Sequence, residues 1–187
     1  MEPVSLEDQR IVELQIGRRP RGLTGVARRC RYGYPQVVRV HPIVNGTPFP
    51  TLYWLSCPLL GYGIDRMESA GWVGRLEMRL EREPELMEAF GRARESYIRE
   101  RFEQLSAAER RDLEARGQTA SLLERGIGGI TRPDRIKCLH LHVAHELARA
   151  NPIGALVVEA LDWIECAAEK VICSTLERVE QIDQINR

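Results

Sequence analysis

With 187 residues, 43% of them apolar and 29% charged, the chain is long enough to bury a real core and has the composition of a soluble globular protein. Its 27 basic residues balance 27 acidic ones, so no net field drives it onto nucleic acid or anionic lipid, and nucleic-acid binding is disfavoured. Lys137 and Lys170 are the two lysines, so the cations are overwhelmingly arginine; codon usage in a G+C-rich genome explains this more simply than a need for bidentate anion recognition.

The opening MEPVSLEDQR is acidic and lacks the apolar stretch of a signal peptide. The most apolar segment, 151–179, is interrupted by Glu159, Asp162, Glu165, Glu169 and Lys170, which is incompatible with a membrane span. These features predict a cytoplasmic protein. In that compartment an odd count of five cysteines argues for free thiols or metal ligands and against a disulfide framework.

Ser5, followed three positions later by Asp8, opens residues 5–16 as a short capped helix. Residues 17–36 are rich in Gly, Pro and Arg and read as irregular, with a short strand at GVARRC (25–30). The runs VVRVHPIV (37–44) and TLYWLSC (51–57), separated by the turn-like NGTPFP, predict an antiparallel pair with GVARRC as a third strand. From residue 61 the spacing becomes helical, weakened in the middle by Gly71 and Gly74. Pro84 suits the first turn of the next helix, and Ser106 with Glu109 forms a capping box for 106–116. GIGGITRPD (126–134) matches neither phosphate-binding fingerprint, so a hinge or tight turn is the simpler reading. A helix is predicted from about Arg135 to Ala150; Asn151-Pro152 breaks it, and a last helix of about thirty residues reaches the chain end. The expected fold is α+β and mainly α, in one domain over 1–187. A small antiparallel β-sheet near the N-terminus precedes a helical bundle with a long C-terminal helix.

IKCLHLHVAH (136–145) holds three of the four histidines. On a helix, Ile136, Leu139, Val143, Leu147 and Ala150 form one apolar stripe, Cys138, His142 and His145 share another flank, and His140 faces away. Cys138 and His142, at i and i+4, have the spacing to bind one metal ion. Other ligands must come from elsewhere. Cys57 ends a strand before Pro58, and Cys30 lies among Arg28, Arg29 and Arg31, whose charge favours thiolate. Cys30, Cys57, Cys138 and His142 are therefore the predicted metal ligands, for zinc or an iron–sulfur cluster. Hydrogen-bonded helix histidines and small buried cysteines are the plain structural alternative. Cys166 and Cys173, at i and i+7 on the last helix, fall opposite its apolar stripe and are left out of the site. The six arginines between residues 18 and 31 lack the interleaved aromatics of a nucleic-acid surface, apart from Tyr32 and Tyr34.

Taken together, GRRPRG, VARRCRYGYPQVV, GTPFPTLYWLSCP, GIGGI and KCLHLHVAHELARANPIG resemble the bacterial family catalogued as domain of unknown function 501. The resemblance runs from about Gly17 to Gly154, leaving 155–187 as a C-terminal helical extension. It implies no activity, cofactor or substrate, but it selects Cys30, Cys57, Cys138, His140, His142 and His145 over Cys166 and Cys173. The function read from the sequence is a cytoplasmic metal- or iron–sulfur-binding protein. With an open coordination position it would be an enzyme on a small anionic substrate, His145 carrying protons and Arg28 or Arg29 holding the anion. Two other readings stay open. One is a non-catalytic binding or regulatory module, a homodimer through its last helix; the other is a metal-free cysteine enzyme using Cys30 or Cys138 with a histidine base.

Overall fold

In the computed structural model, which describes residues 2–176, the chain opens with α1 (Leu6–Ile16). Its capping box is complete: the Ser5 hydroxyl accepts the Asp8 amide at 3.0 Å and the Asp8 carboxylate accepts the Ser5 amide at 3.0 Å. Gly17, at φ 67°, ends the helix. Strands β1 (Leu23–Arg29) and β2 (Pro35–Val40) form an antiparallel hairpin, and a minor hairpin of β3 (Ile43–Val44) and β4 (Thr47–Pro48) follows. Strand β5 (Tyr53–Leu55) completes a sheet of order β1-β2-β5, pairing Val37 with Leu55 and Arg39 with Tyr53. The three strands expected from the sequence are therefore the sheet, antiparallel throughout.

Helices make up the rest. Where the sequence predicts one helix from residue 61, there are two, α2 (Pro58–Ser69) and α3 (Trp72–Arg82). The break is Gly71, whose φ of 81° places it in the left-handed region that glycine tolerates. Pro84 opens α4 (Pro84–Glu103), and the Ser106–Glu109 capping box opens α5 (Ala107–Ala115). After α6 (Ala120–Leu123), GIGG closes as a tight 3-10 turn over Ile127–Gly129, followed by α7 (Leu139–Ala148) and α8 (Pro152–Leu161).

Two expectations are corrected. Helix α7 starts at Leu139 and not near Arg135; Cys138 precedes it in extended backbone, φ −160° and ψ 152°. Carboxylates from other helices impose that start. Glu68 accepts at 2.5 Å the Leu139 amide that a longer helix would have paired with the Arg135 carbonyl, and Glu77 accepts the Ile136 amide at 2.9 Å, so both donors are satisfied from outside. The thirty-residue last helix is also absent, because α8 ends at Asp162, which adopts φ 59°. Trp163 then folds back over α2, so close to Gly63 that a Cβ there would stand 2.6 Å from the indole. The ring edge packs against the bare backbone at Gly63 while the rest of the indole stays exposed, 39% of the residue being open to solvent. The remainder of the expected helix, 177–187, lies outside the described residues.

One apolar cluster joins sheet and helices: Val37, Tyr53, Leu60, Ile64, Leu76, Tyr97, Leu139, Val143, Ile153 and Val157 all belong to it. Helix α7 is its axis, packed against β5 on one side and α8 on another. The α7–α8 contact is backbone to backbone. A Cβ at Gly154 would collide with the His142 carbonyl oxygen and stand 2.6 Å from the Glu146 Cβ. Gly154→Ala is accordingly expected to destabilise by about 2–3 kcal/mol, a cost typical of overpacking. Urea unfolding checks this, and a wild-type midpoint would show that α8 can slide away.

Candidate functional site

Three groupings of reactive side chains emerge, and each differs from the set predicted by sequence. The first joins α2 to the start of α7. Asp65 and Glu68 stand at i and i+3 on α2, hence on one flank. Glu68, Cys138 and His140 bring a carboxylate oxygen, a sulfur and a ring nitrogen to within 4.8 Å of one another. The His140 Nδ1 lies 3.2 Å from Glu68 Oε1, and Nε2 lies 3.4 Å from Asp65 Oδ1. The Cys138 side chain, hydrogen-bonded to the ring, is the main cause raising the His140 pKa above the ordinary imidazole value; Glu68 and Asp65 add to it against partial burial. Cys138 thus pairs with His140, the histidine that a longer helix would have turned away from it. It does not share a face with His142.

The second grouping lies at the end of the sheet where β1 turns into β2. Cys30 directly follows β1, and Cys57 precedes α2 as its N-cap. Cys166 and Cys173 belong to the segment that follows α8. All four are free thiols; Cys57 and Cys173 are buried and the other two half-buried. Burial pushes the Cys57 thiol up, against the amides of Leu60 and Leu59, and the nearby Cys166 and Cys30 push it further. Burial likewise pushes Cys173 up to about 11, against a hydrogen bond from Gln15; Cys57, Cys30 and Cys166 add to the rise. The two cysteines left out of the predicted site are therefore neighbours of two that were placed in it.

The third grouping is the core of the α7–α8 pair. His142 and His145 are each 1% exposed. Asn151, the N-cap of α8, accepts the Ile153 and Gly154 amides on Oδ1, both at 3.0 Å. Its Nδ2 must then face the imidazoles, 3.3 Å from His142 Nδ1 and 3.1 Å from His145 Nδ1. Two N–H bonds donated to two ring nitrogens make both rings neutral, with the proton on Nε2. Burial drives both pKa values down, His142 to about 3 and His145 to about 4. His145 lies between the Tyr53 and Tyr97 rings, at 5.9 and 5.0 Å. It is a packed core residue.

The predicted arginines are engaged as well. Arg29 spans both Asp8 oxygens at 2.7 and 3.0 Å and reaches Glu2 at 2.8 Å, which leaves its fork filled. Arg28 donates to the Gln36 side chain at 3.3 Å. Among the described residues, Cys30, Cys57, Cys138 and His142 are not gathered into one ligand group: Cys138 goes with Glu68 and His140, and His142 goes with Asn151. Sequence reasoning missed Glu68 because an acidic residue on an amphipathic helix carries no mark of its partner. The neighbouring Asp65-x-x-Glu68 and Cys138-x-His140 spacings were the available signal.

Among the described residues no helix is long and apolar enough to cross a membrane. No curated protein and no solved structure matches the chain. Its family is nonetheless shown by a match that takes in the sheet from Val26 of β1 onward and every helix from α2 to α7, together with the candidate group between α2 and α7. Over residues 26–159 the chain matches, and so belongs to, the family described as Protein of unknown function (DUF501).

Proposed function

We propose that the protein binds a metal ion through Glu68, Cys138 and His140. The observation that carries the reading is the approach of an oxygen, a sulfur and a nitrogen donor, from two separate elements, to within 4.8 Å of one another. A mixed N/S/O set suits zinc, and three protein ligands leave a fourth position for water, as in hydrolytic zinc centres. An ion there would lower the pKa of that water and polarise a bound carbonyl or phosphoryl oxygen. Whichever His140 nitrogen ligates, a carboxylate stands by the other to orient the ring, a role that Asp65 or Glu68 fills.

Cobalt titration of metal-free protein tests the reading. Wild type is expected to take up one more equivalent than Cys138→Ser, with a thiolate-to-cobalt absorption that the variant lacks. Glu68→Gln still accepts the Leu139 amide but loses its charge. It should weaken binding by at least the roughly 10–100-fold that loss of a supporting partner costs. Equal uptake by wild type and all three of Cys138→Ser, Glu68→Gln and His140→Ala would refute the assignment.

A further inference from the structure

We infer that Cys30, Cys57, Cys166 and Cys173 together bind an iron–sulfur cluster, at a site independent of the Glu68–Cys138–His140 group. The case begins with how three segments, carrying Cys30, Cys57 and the pair Cys166 and Cys173, are tied to one short stretch, Tyr34 to Gln36. The Cys30 amide donates to the Tyr34 carbonyl at 2.9 Å. The Cys57 and Ser56 amides both donate to the Gln36 carbonyl, at 3.4 and 3.0 Å. The Gln36 side chain in turn donates to the Ile164 carbonyl at 2.7 Å, holding the segment that carries Cys166. Tyr32 donates to the Cys166 carbonyl itself at 3.0 Å, and the Arg31 amide donates to Glu165 at 3.1 Å. Gln15 completes the set with two bonds from one amide, to the Pro35 carbonyl at 2.8 Å and to the Cys173 sulfur at 3.2 Å.

Four of the five cysteines are thus delivered to one end of the sheet by a network of side-chain and backbone bonds. Cys173 lies within electrostatic reach of the other three, and Cys57 within reach of Cys30 and Cys166. Independent burial of small hydrophobes does not require this; one polyvalent ligand does. The size of the cage selects the ligand. Zinc–sulfur bonds of about 2.3 Å in a tetrahedron set ligand sulfurs about 3.8 Å apart. Among the described residues no three of these sulfurs lie within 4.8 Å of one another. A cluster whose irons sit at separate corners takes thiolates that stand farther apart than a single zinc ion allows. Cys166 and Cys173 lie past the end of the family match at residue 159, so the site is assigned to this chain and not to its family.

The full-length chain purified without oxygen, or reconstituted with ferrous iron and sulfide, is the material for the test. Iron and acid-labile sulfide are expected in equal amounts, between about two and four of each per chain, with the broad visible absorption of a thiolate-bound cluster. Cys166→Ser and Cys173→Ser should each lose most of both, whereas Cys138→Ser should keep them. That last variant separates this site from the proposed metal at Glu68, Cys138 and His140. Should the serine variants misfold, thiol alkylation of the wild-type chain gives the second reading. Cys30, Cys57, Cys166 and Cys173 should be protected together and released together by an iron chelator. Zinc without sulfide, a folded chain that takes up neither iron nor sulfide, or four thiols alkylated independently of chelator would each overturn the inference.

Discussion

Replacing Asn151 by alanine is expected to cost about 3–7 kcal/mol. The loss combines a helix cap worth about 1 kcal/mol with two buried acceptors left unpaired, at about 1–3 kcal/mol each. The pH dependence of the wild-type chain reports the same arrangement. His142 and His145 are held neutral by burial, with folded values of about 3 and about 4. The unfolded chain binds protons near pH 6.5, so each ring contributes stability that is fully present above that pH. As the pH falls towards the folded values, that contribution is lost. With both rings taking part, the slope below about pH 6 approaches two protons, or about 2.7 kcal/mol per pH unit.

The groups facing these rings do not reverse the sign. His142 meets Phe90, His145 and Asn151, and His145 meets Tyr53, Tyr97, Glu100 and Arg149. Glu100 alone pulls the His145 value up, and burial outweighs it. His140 works the other way, because its raised pKa gives stability that fades as the pH rises. Asp8 and Glu109, both lowered to about 2, lose their contribution only at more acid pH. Asn151→Asp keeps the oxygen that caps α8 but replaces the donor to both rings with a carboxylate oxygen. Protonated imidazoles then become the favourable partners, so this variant should gain on wild type as the pH falls from 7 to 5. Urea unfolding at stepped pH checks both claims. A wild-type stability flat between pH 7 and 5 would mean that the rings protonate in place.

What the sequence disclosed, and what it hid, divides along the range of the interactions. The capping boxes at Ser5 and Ser106, Pro84 in the first turn of α4 and the three strands depend mostly on nearby residues, and all are as read. The start of α7 depends on Glu68 and Glu77, 71 and 59 residues upstream of the amides they accept, and no periodicity in 135–150 records them. Moving that start to Leu139 takes Cys138 off the helix and invalidates its wheel position. The end of α8 depends on Trp163 finding Gly63 on another helix. Without that turn Cys166 and Cys173 would lie along a straight helix; with it they reach Cys30 and Cys57. The surroundings of His142 and His145 were hidden for a related reason. A flank free of apolar residues looks available for ligands on a wheel, but α7 is packed between β5 and α8, and the Nδ1 atoms of its two buried histidines are met by Asn151.

Substitution of Arg101 is expected to have the largest effect on the loop that carries GIGGI. Its side chain is fully buried, and the groups around it are carbonyls. It donates to Pro50 at 2.7 Å and Gly126 at 3.3 Å, and closely to Leu122 and Arg125. Burial lowers its pKa to about 10, against the pull of Tyr97 and with a push from Arg94, so the guanidinium stays charged at neutral pH. Arg94, also on α4, donates to Glu124 at 2.8 Å and to Thr131 at 3.3 Å, clamping the same loop from its exposed side. Arg101→Ala removes the shared donor of four carbonyls and leaves a cavity, a combination expected to cost at least about 4 kcal/mol. Arg101→Lys keeps the charge, but an ammonium is a compact point that cannot span four acceptors as the planar fork does. It should cost about 2–3 kcal/mol while leaving the sheet and the α7–α8 pair folded. Amide exchange separates the two outcomes. In the lysine variant, exchange should accelerate over residues 119–130 and stay slow in β2 and α7. Arg101→Met supplies the control, since a variant as stable as wild type would show that water can serve the carbonyls. Water has no access to a side chain that is 0% exposed, and for that reason the loop depends on this arginine for its order.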